Sequence, residues 1–274
     1  MKRNERLIDF TNYLINHPRE LISLGHLSQH YDVAKSSISE DIVFIKRVFE
    51  NQNMGKIETF SGSQGGVLFT PQISDGKSKE MAKDLIKLLQ EENRILPGGY
   101  IYLSDIIGTP SNLKKIGKII AHEYADESVD CVMTIATKGI PIAQIVAEIL
   151  DVPFIIVRRD QKVTEGAMVN VNYMSGSSSK VENMTLSKRS LSRGQHVLIV
   201  DDFMKGAGTI NGMKSLVHEF DCLLTGVAVF LEGPFKGERL VKAYKSILKV
   251  DSVDIAKRSI DVKLGNIYDN KKEG

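Results

Sequence analysis

VLIVDDFMKGAGTING, residues 197–212, is the stretch whose reading decides the fold. Its first four residues, Val197 to Val200, have the continuous apolarity of a strand covered on both faces, as in a parallel sheet. Two adjacent acids, Asp201 and Asp202, follow, and then the small residues Gly206, Ala207, Gly208 and Thr209. Met213, Leu216, Val217 and Phe220 next recur at helical spacing. A plain reading makes Asp201 a cap for that helix and the glycines the corners of a tight turn. Two features point further: the acids adjoin with like charge, and the loop leaves backbone amides bare. Small residues at a helix N-terminus let the backbone approach an anion, which the helix dipole favours. The acids would repel that anion, so they suit neutral hydroxyls such as those of a ribose, directly or through Mg²⁺. A phosphosugar offers both.

The surrounding sequence has the rhythm that such a strand requires. Strands are expected over Val129 to Ala136, Phe154 to Val157 and Leu224 to Leu231, with a helix from Ile140 to Leu150. Alternation of this kind gives an α/β domain with a mainly parallel sheet, whose ligands bind beyond the carboxyl ends of the strands. Thr137, Lys138 and Gly139 fall at one such end, where a lysine and open amides can hold an anion; alone, such a segment is more often an ordinary turn. Residues 158–180, RRDQKVTEGAMVNVNYMSGSSSK, interrupt the rhythm as a long polar insertion, read as a lid or a disordered loop. Arg158, Arg159 and Lys162 within it are candidates for phosphate contacts.

Residues 1 to about 72 follow a different grammar. Leu7, Phe10 and Leu14 mark a helix that stops at His17-Pro18, and a short helix runs near Leu24 to His30. A third opens at KSSISED, where Ser37 and Glu40 have capping-box spacing and Ile38, Ile42, Ile45 and Phe49 share a face. Two short strands, Lys56 to Phe60 and Gly66 to Thr70, are joined by SGSQG. Three helices and a hairpin are the order of a winged helix, whose third helix enters the major groove while the hairpin touches the flanking backbone. Lys2, Arg3 and Arg6, then Lys35, Ser36, Ser37 and Ser39, and Ser63 and Gln64 at the hairpin tip are the candidate DNA contacts. The segment holds eight basic and eight acidic side chains, so clustering rather than net charge carries that reading. A linker is expected near PQISDGKSKE, dividing the chain into domains 1–73 and 74–274.

Composition agrees with an ordinary globular protein: 274 residues, 42% hydrophobic, 26% charged and a net charge of +2. No global field advertises nucleic acid or membrane, so any such partner is recognised locally. The start MKRNERLIDF lacks the apolar core of a signal peptide, and no apolar run reaches membrane-spanning length, so a cytoplasmic protein without a membrane partner is expected. Cys131, Cys222 and six scattered histidines form neither a disulfide framework nor zinc spacing.

The 197–212 segment resembles the phosphoribosyl pyrophosphate (PRPP) signature of type I phosphoribosyltransferases. That resemblance implies that Asp201 and Asp202 face the ribose hydroxyls, that Phe203 and Met204 are the variable pair, and that Lys205 to Thr209 wrap the 5′-phosphate. Thr137 to Gly139 then resemble the pyrophosphate loop, and the 158–180 insertion a flexible loop that closes over the site. Lys205-Gly206-Ala207-Gly208 departs from the Ala-Thr-Gly-Gly frequent in active enzymes, a departure that bears on turnover. Together with the winged helix, LPGGYIYLSDIIG, ATKGIP and KVTEGAMVNVNYMSGSS, the chain is similar over nearly its whole length to the purine operon repressors of Gram-positive bacteria.

The resemblance implies a homodimeric repressor of purine synthesis and transport genes. It would bind double-stranded operator DNA and be released by PRPP or a related ribose phosphate, with Tyr102 near the effector pocket. It also implies no required cofactor beyond Mg²⁺ accompanying PRPP, and no catalytic residues. The expected fold is α/β: an N-terminal winged-helix DNA-binding domain and a C-terminal type I phosphoribosyltransferase fold. An active purine or xanthine phosphoribosyltransferase with a regulatory winged helix is the alternative enzyme reading, and a protein-interaction module with a vestigial pocket the third.

Overall fold

A computed structural model of the chain describes residues 1–62, 65–91, 94–160, 166–174 and 180–269. The amino-terminal unit runs α1 (Arg3–Asn16), β1 (Leu21–Ser23), α2 (Leu24–Tyr31), α3 (Lys35–Asn51), β2 (Lys56–Thr59) and β3 (Gly66–Thr70). The stripes read from the sequence become its core, with Phe10, Leu14, Leu27, Ile38, Ile42, Ile45, Phe49 and Ile57 all buried. Strand β1 is an addition: three residues are too few for an alternation to register, yet they pair antiparallel with β3 to complete a sheet of order β1-β3-β2. The capping-box spacing misplaces the start of α3. That helix begins at Lys35 on Ala34, whose side chain makes no cap hydrogen bond, and Ser37 lies inside its first turn.

The linker is shorter than PQISDGKSKE suggests. Ser74 caps α4 (Asp75–Leu89) by accepting from the Lys77 amide at 3.2 Å, so most of that stretch is helix. The helix buries Ala82, Leu85 and Leu89 against the larger domain. Next come β4 (Ile95–Leu96), β5 (Tyr100–Ile101), α5 (Ser104–Gly108), α6 (Pro110–Glu123), β6 (Cys131–Ile135), α7 (Gly139–Leu150) and β7 (Phe154–Val157). The chain continues through β8 (Met168–Met174), β9 (Val181–Ser187), β10 (His196–Met204), α8 (Gly208–Glu219), β11 (Leu223–Glu232), β12 (Lys245–Asp254) and β13 (Ser259–Leu264).

The six-stranded sheet has the order β13-β12-β11-β10-β6-β7 and is parallel except for β13. Alternate residues of β10 serve opposite cores: Leu198 and Val200 face the α6 and α7 side, Val197 and Ile199 the α8 side. From β6 the chain crosses to β7 on one side, and from β10 to β11 on the other, so the switch of direction lies between β6 and β10. A crevice opens at the carboxyl ends of strands related in this way.

Two expectations are corrected here. The central strand does not stop at Val200 but carries both acids to Met204, because its partner β11 continues the parallel ladder through Asp201↔Val229 to Met204↔Glu232. The described part of the 158–180 insertion contributes strand β8, which forms an arm by pairing antiparallel with β9 just beyond it, from Met168↔Ser187 to Met174↔Val181. Tyr173 of β8 and Met184 and Leu186 of β9 join the α8-side core, which explains a strand where polarity suggested a loop. Lys162, Ser63 and Gln64 lie outside the described residues.

Candidate functional site

The crevice between β6 and β10 is a cleft of about 550 Å³, within the range typical of small-molecule sites. Gly206, Ala207, Gly208 and Thr209 line it, together with Asp201, Asp202 and Lys138. An adjoining cleft is lined by Thr137, Arg158 and Arg159 and shares Lys138, Asp201, Asp202 and Thr209, so the two form one continuous site. The structure thus brings together Thr137 to Gly139, Arg158 and the whole 201–209 segment, which stand far apart in sequence.

Asp201 is 5% exposed at the end of β10, and its Oδ1 accepts from the Asp202 amide at 2.9 Å. Burial pushes its carboxyl well above the usual carboxylate range, and the charge of Asp202 adds to the rise. Burial raises Asp202 as well, opposed by the Lys138 ammonium. Folding has therefore placed two acids where their charges are only partly compensated, a state that a hydroxyl pair or a cation relieves. Asp201 does not cap α8. The cap is Ala207, in the left-handed region at φ +65, while Gly206 and Gly208 have no positive φ.

The glycine that geometry demands is Gly139. A Cβ there would stand 2.3 Å from Thr134 Oγ1 and 2.9 Å from Asp201 Oδ1, so only a bare backbone lets α7 start against the acids. The buried Thr134 hydroxyl beneath it has no hydrogen-bond partner among the described residues. Lys138 precedes α7 at the mouth, and the Ala136–Thr137 peptide is cis. Arg159 is held by Glu182 of β9 at 3.6 Å, which ties the arm to the cleft.

The two tyrosines of this segment are placed differently. Tyr100, 73% exposed, lines the cleft with Gly98, Gly99 and Ile101, whereas Tyr102 is not among the lining residues. Tyr102 lies just past β5, between the lining residues Ile101 and Leu103; its amide donates to the Arg94 carbonyl at 2.8 Å, and the Arg94 guanidinium grips Asp105 at 2.8 Å. Sequence reasoning also missed Pro234 and Val253, brought to the cleft by β11 and β12. No local motif marks them; only sheet order does.

No group of three or more His, Cys, Asp or Glu suited to a metal gathers among the described residues. Mg²⁺ is ordinarily held by one or two carboxylates plus ligand phosphates. Asp201 and Asp202 fit the carboxylate part of that donor set.

In the amino-terminal unit, Ser36, Ser39, Lys46 and Arg47 are exposed on the face of α3 opposite its core, and Lys2 and Lys35 are exposed as well. Arg6 is corrected: it is 6% exposed, with Nε 2.6 Å from Oδ2 of the fully buried Asp41. Helical spacing explains this, since Arg6, Phe10 and Leu14 fall on one inward stripe. Arg3 shares Asp41 at 3.2 Å and stacks on Phe44 at 4.9 Å while remaining half exposed.

Comparison with known proteins agrees with both halves. Residues 2–71 match the family described as bacterial purine repressor, N-terminal, and residues 104–265 the phosphoribosyl transferase domain. The chain is 78% identical to the purine biosynthesis transcriptional activator of Lactococcus lactis subsp. lactis, covering 99% of this chain and 100% of that one. It is 48% identical to the purine biosynthesis transcriptional repressor of Bacillus subtilis, covering 97% and 93%. Among solved structures, the adenine phosphoribosyltransferase of Thermoanaerobacter pseudethanolicus superposes with a TM-score of 0.50 at 20% identity, over 55% of this chain and 87% of that one, which shows the fold. The chain therefore belongs to the purine biosynthesis transcriptional regulators, in which a DNA-binding purine-repressor domain precedes a phosphoribosyltransferase domain.

Proposed function

We propose that this regulator senses PRPP in a non-catalytic pocket and thereby controls its hold on purine-gene operators. The observation that carries the reading is the pairing, in one cleft, of the buried Asp201 and half-buried Asp202 with a small-residue loop at a helix N-terminus. Asp201 and Asp202 take the ribose hydroxyls, Gly206 to Thr209 the 5′-phosphate, and Thr137 to Gly139 with Arg158 and Arg159 the pyrophosphate. A sensor needs only a difference in affinity between two conformations, so the missing enzyme loop sequence is no handicap. Operator contacts come from Lys35, Ser36 and Ser39 at the start of α3 and from Lys2, in a homodimer whose two winged helices meet two half-sites.

The test is fluorescence anisotropy of the full chain on a fragment upstream of a purine operon, titrated with PRPP and Mg²⁺ and with ribose 5-phosphate as control. Release by PRPP supports the reading. The double variant Asp201→Ala, Asp202→Ala is expected to bind DNA normally and lose the response; normal release from that variant would sink the pocket assignment. Nucleotide formation from PRPP and any purine base would restore the enzyme reading.

A second reading concerns the sign of control. The relative at 78% identity is named an activator and the one at 48% a repressor. Transcription from the purine promoter with and without the protein separates the two: a fall marks a repressor, a rise an activator.

A further inference from the structure

The phosphate loop is held from behind. The Lys205 carbonyl accepts from Arg239 Nε at 2.9 Å and the Gly206 carbonyl from the Leu240 amide at 3.3 Å, while the Ala207 carbonyl accepts the first intrahelical bond of α8 from the Asn211 amide at 2.9 Å. In a trans peptide the C=O of one residue and the N–H of the next point in opposite directions. Fixing the Lys205 and Gly206 carbonyls on the 239–240 segment therefore turns the amides of Gly206 and Ala207 away from that segment. The side away from it is the cleft, which Gly206 to Thr209 line and Arg239 and Leu240 do not.

Arg239 is itself immobilised. Its Nη1 lies 2.8 Å from Oε1 of Glu232, which is buried at the end of β11, and donates to the Tyr244 hydroxyl at 3.0 Å. Nη2 donates to the Gly233 carbonyl at 2.8 Å. Glu232 in turn accepts from Ser246 Oγ on β12 at 3.0 Å. The planar guanidinium thus links two strand ends to the loop carbonyl, a geometry that a lysine ammonium cannot reproduce.

We infer that Arg239 is a positioning residue for the phosphate loop: anchored on Glu232, it aims the amide donors that receive the 5′-phosphate of the ligand. The inference rests on the phosphosugar reading above and names the device that preorganises it. An ion pair serving stability alone would not distinguish one end of the ligand from the other. A donor-aiming role acts on the 5′-phosphate and leaves the pyrophosphate end at Thr137 to Gly139 untouched.

The experiment is calorimetric titration of the full chain, wild type and Arg239→Lys, with ribose 5-phosphate and separately with inorganic pyrophosphate. Arg239→Lys keeps the charge opposite Glu232 and loses the fork. We expect ribose 5-phosphate to bind about tenfold more weakly, as for a lost donor alignment, with pyrophosphate affinity and ligand-free operator binding unchanged. Equal weakening of both ligands, or no change for ribose 5-phosphate, would overturn the role. Tyr244→Phe removes one Arg239 contact without emptying space, so it decides the same split, with a smaller shift, if Arg239→Lys does not fold. Wild-type protein that binds neither probe brings down the phosphosugar reading and this inference with it. Equal ribose 5-phosphate affinity in all three proteins brings down the inference alone.

Discussion

Asp201 shows how a single residue exchanges stability for a site. Its carboxyl is raised by burial and by the neighbouring Asp202 charge, so the native state holds the proton more tightly than the unfolded chain does. Stability from this group is greatest below the unfolded value of about 3.9 and falls as pH rises through the folded value. Asp201→Asn keeps an Oδ1 that can accept from the Asp202 amide and removes the charge. In ligand-free protein we expect a urea midpoint corresponding to about 1 kcal/mol or more of added stability at pH 7, with the two proteins converging near pH 4. A wild-type advantage at pH 7 would refute the electrostatic account. Arg6 and Lys35 make an opposite pair of cations. Arg6→Ala leaves Asp41 fully buried with only Arg3 beside it, and is expected to cost about 3 kcal/mol in thermal or urea unfolding. Lys35→Ala is expected to leave stability unchanged and to lower the slope of log affinity for DNA against log salt by about one, if its ammonium meets a phosphate.

At the scale of elements, the loop between β10 and α8 carries a conformational load in an unexpected place. Ala207 occupies the left-handed region, where glycine stands in many active transferases and where a Cβ costs roughly 1–2 kcal/mol. Glycine loses more freedom on folding, by roughly 0.5–1 kcal/mol. Ala207→Gly is therefore expected to stabilise the protein by about 0.5–1 kcal/mol, read as a rise in Tm; a fall would mean that the Ala207 methyl packs usefully in its buried position. The β8–β9 arm teaches a related lesson. Its inner positions, Tyr173, Met184 and Leu186, are spaced by alternation, while Asn170, Asn172 and Asn183 fall on the opposite face. A period of two inside a Gly- and Ser-rich stretch is easily taken for a loop, because the glycines and serines dominate its composition.

At the scale of the molecule, the winged-helix core built on Phe10, Ile38 and Phe49 shares no residue with the two cores on the faces of the large sheet. Separate cores predict separate unfolding. Scanning calorimetry is expected to show two transitions, with PRPP raising only that of the larger domain, by about 2.7 kcal/mol at a hundredfold excess over Kd. One transition that moves as a whole would show that the domains are thermodynamically fused.

The sequence by itself determined the two halves, the helical stripes, the parallel sheet and the acid-then-small-residue loop. Each of these is written in local periodicity or in contiguous residues, and burial of an amphipathic face enforces it. It did not determine which tyrosine faces the cleft, that Arg6 turns inward, that Pro234 and Val253 reach the site, or that Arg239 braces the loop. Those facts depend on strand order and on side chains that meet across long separations in the chain. Only when β10 lies between β6 and β11 do their carboxyl ends converge, and only then do these residues acquire neighbours.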